Sequence, residues 1–279
     1  MQQIHPGDLK GVSETLLIPL HYRVAASKSS SDPFKDEVGE RFYDAIAYDW
    51  RKFGDHSFQK RAMPIRTAIF DSEVHAFLEK APDGLVVNLG AGLDTRFYRL
   101  DNSAVRWIEI DLPDVIAFRR KLEEPPSERH TLLAASVLDE DWIDQVTRAA
   151  GSRVLFVAEG LFPYFTEAEH KSVFTRLAER FPGQEMLFQT FAPSLIEGLA
   201  QDPDLSKYSH LAKLSSNVEM RWGLEESAEV ATLSPNVEFL REFPLFAGLY
   251  DALPEPLKRK FSLAMAMKVG KIVHVRFKG

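Results

Sequence analysis

Apolar positions along the chain change their period near residue 84. Before it they recur at helical steps. In 36–50, Val38, Phe42, Ala45 and Ile46 fall three or four apart, which predicts a helix. In 63–78, Ile65, Ile69, Phe70, Val74, Phe77 and Leu78 form one face, and Pro64 suits a first turn. Residues 16–20 are apolar too, but Pro19 argues against a long regular helix. The stretch 27–33, SKSSSDP, reads as a loop. Residues 1–83 are therefore expected to be a mainly helical cap.

After residue 84 the apolar residues gather into short β-branched runs. These are LVVNL at 85–89, VRWIEI at 105–110, TLLAA at 131–135, RVLFVA at 153–158, and 184–191. Helical patterns separate them. One starts at Pro113 and runs to about Leu122, one spans 141–150 with Trp142 and Val146 on one side, and one follows Thr166. Thr166 and Glu169 have capping-box spacing, and Val173, Leu177 and Phe181 fall in line behind them. Pro125 and Pro126 mark a loop. This alternation predicts an α/β fold with a mostly parallel sheet covered on both faces.

Residues 192–236 break the rhythm. They are polar and helix-prone, with Met220 and Trp222 among charges, and are expected to be an insertion that forms a lid or substrate pocket. Two last strands, 237–243 and 271–276, surround a helical stretch at 256–267. The expectation is one domain over 1–279: cap 1–83, core 84–191, insertion 192–236, and last strands and helix 237–279. There is no internal repeat and no low-complexity tract.

The first strand ends in Gly90-Ala91-Gly92, where glycine permits a tight turn and a close ligand. About twenty residues on, the second strand ends in Asp111, an acid at the spacing that suits a ribose. Asp139 follows strand three, and Glu159 follows strand four. Strand tips are where open α/β sheets bind ligands. The four together are laid out as a site for S-adenosylmethionine. Glycines approach its amino-acid part, Asp111 accepts the ribose hydroxyls, and Asp139 accepts the adenine amine. Singly, Asp139 and Glu159 also fit solvated loop acids or helix caps. A dinucleotide site would need a third glycine where Thr95 stands.

Composition narrows the class. Net charge is −7 over 279 residues, which disfavours a nucleic-acid binder. There is no cysteine, so disulfides, thiolate metal sites and cysteine nucleophiles are absent. No paired-histidine spacing supports a metal. The first residues lack the pattern of a signal peptide, and no apolar run is long enough to span a bilayer, so a cytoplasmic protein is expected.

Three motifs carry a resemblance. VVNLGAGLDTRFYRL at 86–100, WIEIDLPDVI at 107–116 and FVAEGLFPYF at 156–165 together resemble the leucine carboxyl methyltransferase family. ETLLIPL at 14–20 and AIAYDWRKF at 45–53 look like its bacterial branch, the tetracenomycin-type polyketide O-methyltransferases. The resemblance implies a class I methyltransferase: a Rossmann-like, seven-stranded sheet with a reversed last strand, and S-adenosylmethionine as methyl donor. It implies that Arg66 holds the methionine carboxylate, with Arg23 supplementing it. It carries cofactor contact onto Gly90, Ala91 and Gly92, onto Asp111 and Leu112, and onto Asp139, Glu159 and Gly160. Tyr164 corresponds to a pocket tyrosine, and Arg96 is expected to orient a substrate acid.

The expected activity is O-methylation of a carboxylate or hydroxyl on a small, polyketide-like acceptor, without nucleic acid or membrane as partner. Three alternatives stand beside it: methylation of a protein C-terminal carboxylate, an NAD-linked oxidoreductase, and a non-catalytic binding subunit. The oligomeric state is not legible. A carboxylate held by Arg96 or Arg23 is the expected acceptor, because an ionised acid needs no base. For a phenol, His21 and Tyr22 are the candidate proton acceptors.

Overall fold

A computed structural model describes residues 4–7, 9, 11–54, 57–123, 127–201, 219–252, 255–259, 262–266 and 268–278. Seven strands form one sheet in the order β3-β2-β1-β4-β5-β7-β6. They are β1 Leu85–Leu89, β2 Arg106–Asp111, β3 His130–Ala134, β4 Val154–Ala158, β5 Glu185–Phe191, β6 Val237–Pro244 and β7 Gly270–Phe277. The first five are mutually parallel, whereas β7 runs antiparallel to both β5 and β6. This is the expected mostly parallel sheet with a reversed last strand.

β1 and β4 lie at the centre and are buried throughout, which is why they read as unbroken apolar runs. The helices cover both faces. On one side Trp142, Val146, Phe174, Leu177 and Phe181 pack against the sheet, from α6 (Asp141–Ala149) and from α7 (Glu167–Arg180) and its C-cap. On the other side lie Phe70, Val74 and Phe77 of α3 (Ser57–Lys80) and Phe97 of α4 (Arg96–Leu100). A third cluster joins the cap to the core. Leu17, Leu20 and Tyr22 of α1 (Leu17–Ser27) and Phe42 of α2 (Glu37–Ala45) pack with Leu93, and with Val115 of α5 (Pro113–Arg119).

Two prolines sit differently from expectation. Pro19 is the third residue of α1, at the junction with the 3-10 helix Gly11–Leu16 that leads straight into it, so the one N–H it lacks falls where the hydrogen-bond pattern changes. A regular eleven-residue helix therefore forms around it. Pro64 is not in a first turn: α3 begins at Ser57, so Pro64 stands inside a 24-residue helix. α3 packs along α1, and that tertiary contact outweighs one lost backbone bond. The expected helix at 36–50 ends at Ala45, where Ile46 bridges in parallel to Ile4, and a 3-10 turn Trp50–Phe53 follows.

The insertion opens with α8 (Pro193–Gln201) and closes with a 3-10 helix Ser227–Thr232; its middle, 202–218, lies outside the described residues. So do the loop at Pro125 and Pro126, and residues 260, 261 and 267 of the helix expected at 256–267. That stretch contains two short helices, Glu255–Lys258 and Leu263–Ala266. No helix among the described residues is long and apolar enough to cross a membrane.

The capping box at Thr166 is formed: Thr166 accepts from the Glu169 N–H, and Glu169 accepts from the Thr166 N–H at 2.7 Å. Thr166→Ala should cost about 1 kcal/mol of stability by equilibrium denaturation. A loss of less than about 0.3 kcal/mol would show that packing of Val173 and Leu177 holds α7 without its cap.

Candidate active site

Sheet register brings the site together. Leu89 pairs with Ile110, so the turn after β1 lies beside Asp111 at the tip of β2. Ala158 pairs with Phe188, so Glu159 after β4 lies beside Gln189 of β5. The N–H groups of Gly90 and Ala91 both donate to the Ile110 carbonyl, at 2.8 and 3.2 Å. Gly90 and Gly92 have φ of +65° and +51°, a left-handed backbone that glycine adopts without strain. A Cβ on Gly90 would stand 2.8 Å from Leu161 Cδ1.

Asp111 closes this turn from the side. Its Oδ2 accepts from the Gly92 N–H and its Oδ1 from the Leu112 N–H, both at 2.7 Å. Each oxygen keeps a lone pair for another donor. Burial pushes the Asp111 carboxyl up to about 6, against the two N–H groups and Arg119, which hold it down.

Beneath the strand tips lies a buried network of four arginines and four carboxylates. Arg66 of α3 meets Glu159 at 2.8 Å and donates to Gln189 Oε1 at 3.0 Å. Arg96 meets Asp71 at 2.6 Å, Glu159 at 2.5 Å, and also Asp94. Arg99 meets Asp71 at 2.8 Å and lies 3.5 Å from Asp36 and Asp94. Arg23 meets Asp36 at 3.0 Å and donates to the Leu93 carbonyl at 2.7 Å. Burial alone would raise these acids. The guanidiniums outweigh it and hold Asp36, Asp94 and Glu159 below the ordinary carboxylate range.

Above the network opens a cavity of about 330 Å³. Gly90, Ala91, Gly92, Asp111, Leu112, Glu159 and Gly160 line one end. Leu161, Pro163, Tyr164, Gln189, Phe191, Leu195, Met220, Phe246 and Val269 also line it, as do Ser13, Thr15, Arg23, Gln59 and Arg66 from the cap. Met220 is held there from the insertion side: the Arg221 N–H donates to Pro163 at 2.7 Å, and Trp222 stacks on His170 with ring centres 3.7 Å apart.

Most of the expected site residues converge on this cavity. Arg66 is 8% exposed, and its Nε has no hydrogen-bond partner. Tyr164 lines the cavity, and burial raises its pKa, so it is a neutral phenol and not a base. Three placements correct the expectation. Arg96 is 0% exposed and lies off the cavity wall, with its guanidinium shared among three carboxylates; it cannot orient a substrate. Arg23 reaches the wall, but its head is committed to Asp36 and Leu93. Asp139 is exposed and off the cavity wall; its backbone carbonyl accepts from Arg176.

His21 and Tyr22 are away from the chemistry as well. His21 stacks among Tyr43, Trp50 and Phe53, and burial together with Lys60 lowers its pKa to about 4. The Tyr22 hydroxyl donates to the Phe53 carbonyl. Sequence reasoning missed Asn88, which donates to Asp94 at 3.0 Å, and Gln189. Each is a buried polar residue within an otherwise mostly apolar strand, a signal visible in LVVNL and EMLFQTF. Among the described residues no cluster of His, Asp or Glu is placed to hold a metal.

Comparison with known proteins agrees with this geometry. The leucine carboxyl methyltransferase family model matches residues 17–178. The tetracenomycin polyketide synthesis O-methyltransferase TcmP of Streptomyces glaucescens is 29% identical over 252 residues, covering 90% of this chain and 89% of that protein. The S-adenosyl-L-methionine-dependent methyltransferase dpfgK of Gibberella zeae is 30% identical over 186 residues, covering 62% of each chain. Among solved structures, a putative methyltransferase from Thermobifida fusca has the same fold, with TM-score 0.59 at 16% identity, covering 98% of this chain and 97% of that one.

The network predicts a large cost for breaking it. Arg96→Met leaves Asp71, Asp94 and Glu159 short of their shared cation, and should destabilise the protein by about 3–5 kcal/mol in urea denaturation. The pH dependence follows from the same pairs. Asp36, Asp94 and Glu159 titrate lower folded than unfolded, so their contribution is complete above about pH 5 and is lost as pH falls below about 4. Stability that is flat from pH 5 down to pH 2 would contradict this account.

Proposed function

The chain belongs to the leucine carboxyl methyltransferase family, and on that premise we propose that it O-methylates a small-molecule acceptor in the cavity above β4 and β5. It is an S-adenosyl-L-methionine-dependent methyltransferase. The observation that carries the site assignment is the meeting, in one cavity, of a left-handed glycine turn, Asp111 and the guanidinium-bearing Arg66. These fit the cofactor. Gly90 and Gly92 leave room that a side chain would fill. Ala91 continues their turn. Asp111 has lone pairs for the two ribose hydroxyls, with Leu112 beside them. Arg66 lines the same cavity and brings a guanidinium to the methionine carboxylate. Gly160, with φ of +73°, lets the β4 tip pass close to the same groups.

When bound, the cofactor supplies a sulfonium methyl. An acceptor oxygen forms the new O–C bond as the C–S bond breaks, and that electron pair stays on sulfur. The protein's work is to place the oxygen in line and to exclude water. Glu159 is not a base here, because both its oxygens are held by Arg66 and Arg96. It fixes Arg66. Tyr164 can donate a hydrogen bond, and its raised pKa keeps the proton at neutral pH. The cavity therefore favours an oxygen that is ionised before it binds. The likeness to a polyketide-synthesis O-methyltransferase supports a small organic acceptor.

Calorimetry with S-adenosylmethionine and with NAD tests the cofactor, and binding of NAD alone would overturn the reading. Gly90→Val should abolish S-adenosylmethionine binding while the circular-dichroism spectrum stays that of the parent. Asp111→Ala should weaken binding by about 2–3 kcal/mol. In the parent protein, affinity should be constant above pH 7. Below about 6 it should fall by up to about tenfold per pH unit, because the protonated carboxyl loses its charge-assisted bonds. Asp111→Asn should flatten that profile, and an unflattened one would remove Asp111 from the ribose site.

A further inference from the structure

The acceptor half of the cavity holds a buried carboxamide with one end committed. Gln189 is 2% exposed, lines the cavity, and sits on β5 beside Glu159. Arg66 NH1 donates to Gln189 Oε1 at 3.0 Å. A guanidinium has no lone pair to offer, so the amide oxygen must face it. The NH2 group is thereby turned away from Arg66, and among the described residues it has no hydrogen-bond partner. It is a donor fixed in direction at the point where the cavity changes from polar to apolar.

The surroundings define what it meets. Asp111 stands at the β2 tip and Arg66 of α3 meets Glu159 at the β4 tip, so Gln189 on β5 lies next beyond them along the sheet. Beyond Gln189 the walls are Phe191, Leu195, Met220, Phe246 and Val269. The cavity-lining cations among the described residues are Arg23 and Arg66, both held in ion pairs. A second negative charge on the acceptor would have no partner there, at a high desolvation cost.

We propose that Gln189 positions the methyl acceptor: its NH2 donates to the reacting oxygen of an apolar monoanion, an aromatic or aliphatic acid or an acidic phenol with no second charge. This rests on the site reading above. The counter-charge to the acceptor is the sulfonium, not an arginine. Transfer cancels both charges, no proton has to leave, and the uncharged ester or ether fits an apolar chamber. Gln189 acts through a directed neutral hydrogen bond, which fixes the oxygen without competing with the sulfonium for its charge.

The test is binding of model acceptors at about pH 7.5 to protein saturated with sinefungin, whose ammonium replaces the sulfonium, or with uncharged S-adenosylhomocysteine. 2-Naphthoate should bind the sinefungin complex about tenfold more tightly than it binds the S-adenosylhomocysteine complex. It should also outbind 2,6-naphthalenedicarboxylate and un-ionised 2-naphthol by about tenfold, and 2,4-dinitrophenol, an acidic phenol, should behave as 2-naphthoate does. Gln189→Leu removes the amide; Gln189→Glu keeps an oxygen toward Arg66 and replaces the donor with a charged acceptor oxygen. Each should lower 2-naphthoate affinity about tenfold while S-adenosylmethionine affinity moves less than about threefold. Unchanged 2-naphthoate affinity in both variants, no 2-naphthoate binding to the parent, or preference for the dicarboxylate or the neutral naphthol would each overturn the proposal. Failure of the parent to bind S-adenosylmethionine would instead overturn the site reading beneath it.

Discussion

A guanidinium taken out of water needs a carboxylate on it, and a buried carboxylate needs a guanidinium. That mutual requirement organises this protein. Arg23, Arg66, Arg96 and Arg99 come from α1, α3 and α4, while Asp36, Asp71, Asp94 and Glu159 come from the start of α2, from α3, and from the tips of β1 and β4. No member can be satisfied by its own element alone. The helical cap is therefore bound to the sheet by charge pairs that exist only when both are in place. Arg23, Arg66, Asp94 and Glu159 of the same network line the cavity, so its shape and the docking of the cap are linked.

That coupling explains what the sequence disclosed and what it withheld. Strand and helix order was legible because β1 and β4 are buried on both faces and because turn glycines and capping residues punctuate them. Asp111 was legible from its spacing to Gly90. The role expected of Arg96 was not, because its partners stand at 71, 94 and 159, and only folding brings them within reach. An arginine in a motif looks the same whether it faces a ligand or three acids. Pro64 misled for a related reason: a start signal inside a helix is overridden when the helix is held from outside. Gln189 had a signal, a polar residue in an apolar strand, but its meaning depended on Arg66, 123 positions away.

The cavity divides its chemistry along the strand order. Toward β2 and β1 it offers backbone turns and a carboxylate, groups suited to hydroxyls and to a zwitterion. Toward β5 and β7 it offers aromatic and aliphatic walls. The boundary falls at β4 and β5, where Arg66 touches both Glu159 and Gln189. One guanidinium thus sets the geometry on each side of the boundary. The polar and the apolar lining thus belong to different strands, so the one can vary without the other.

The placing of β7 has a consequence for how the protein is made. β7 lies between β5 and β6, and the described ladder of β6 is to β7. Synthesis runs from β1 toward β7, so β1 to β4 and their helices can assemble while the rest is still being made. β5 then waits with one edge bare, and β6 emerges with nothing to pair with, until residues 270–277 arrive. An unpaired strand edge is an invitation to other chains. The interval in which those edges stay bare is the time taken to translate residues 192–277, and slow decoding there would lengthen the period in which a nascent chain needs shielding.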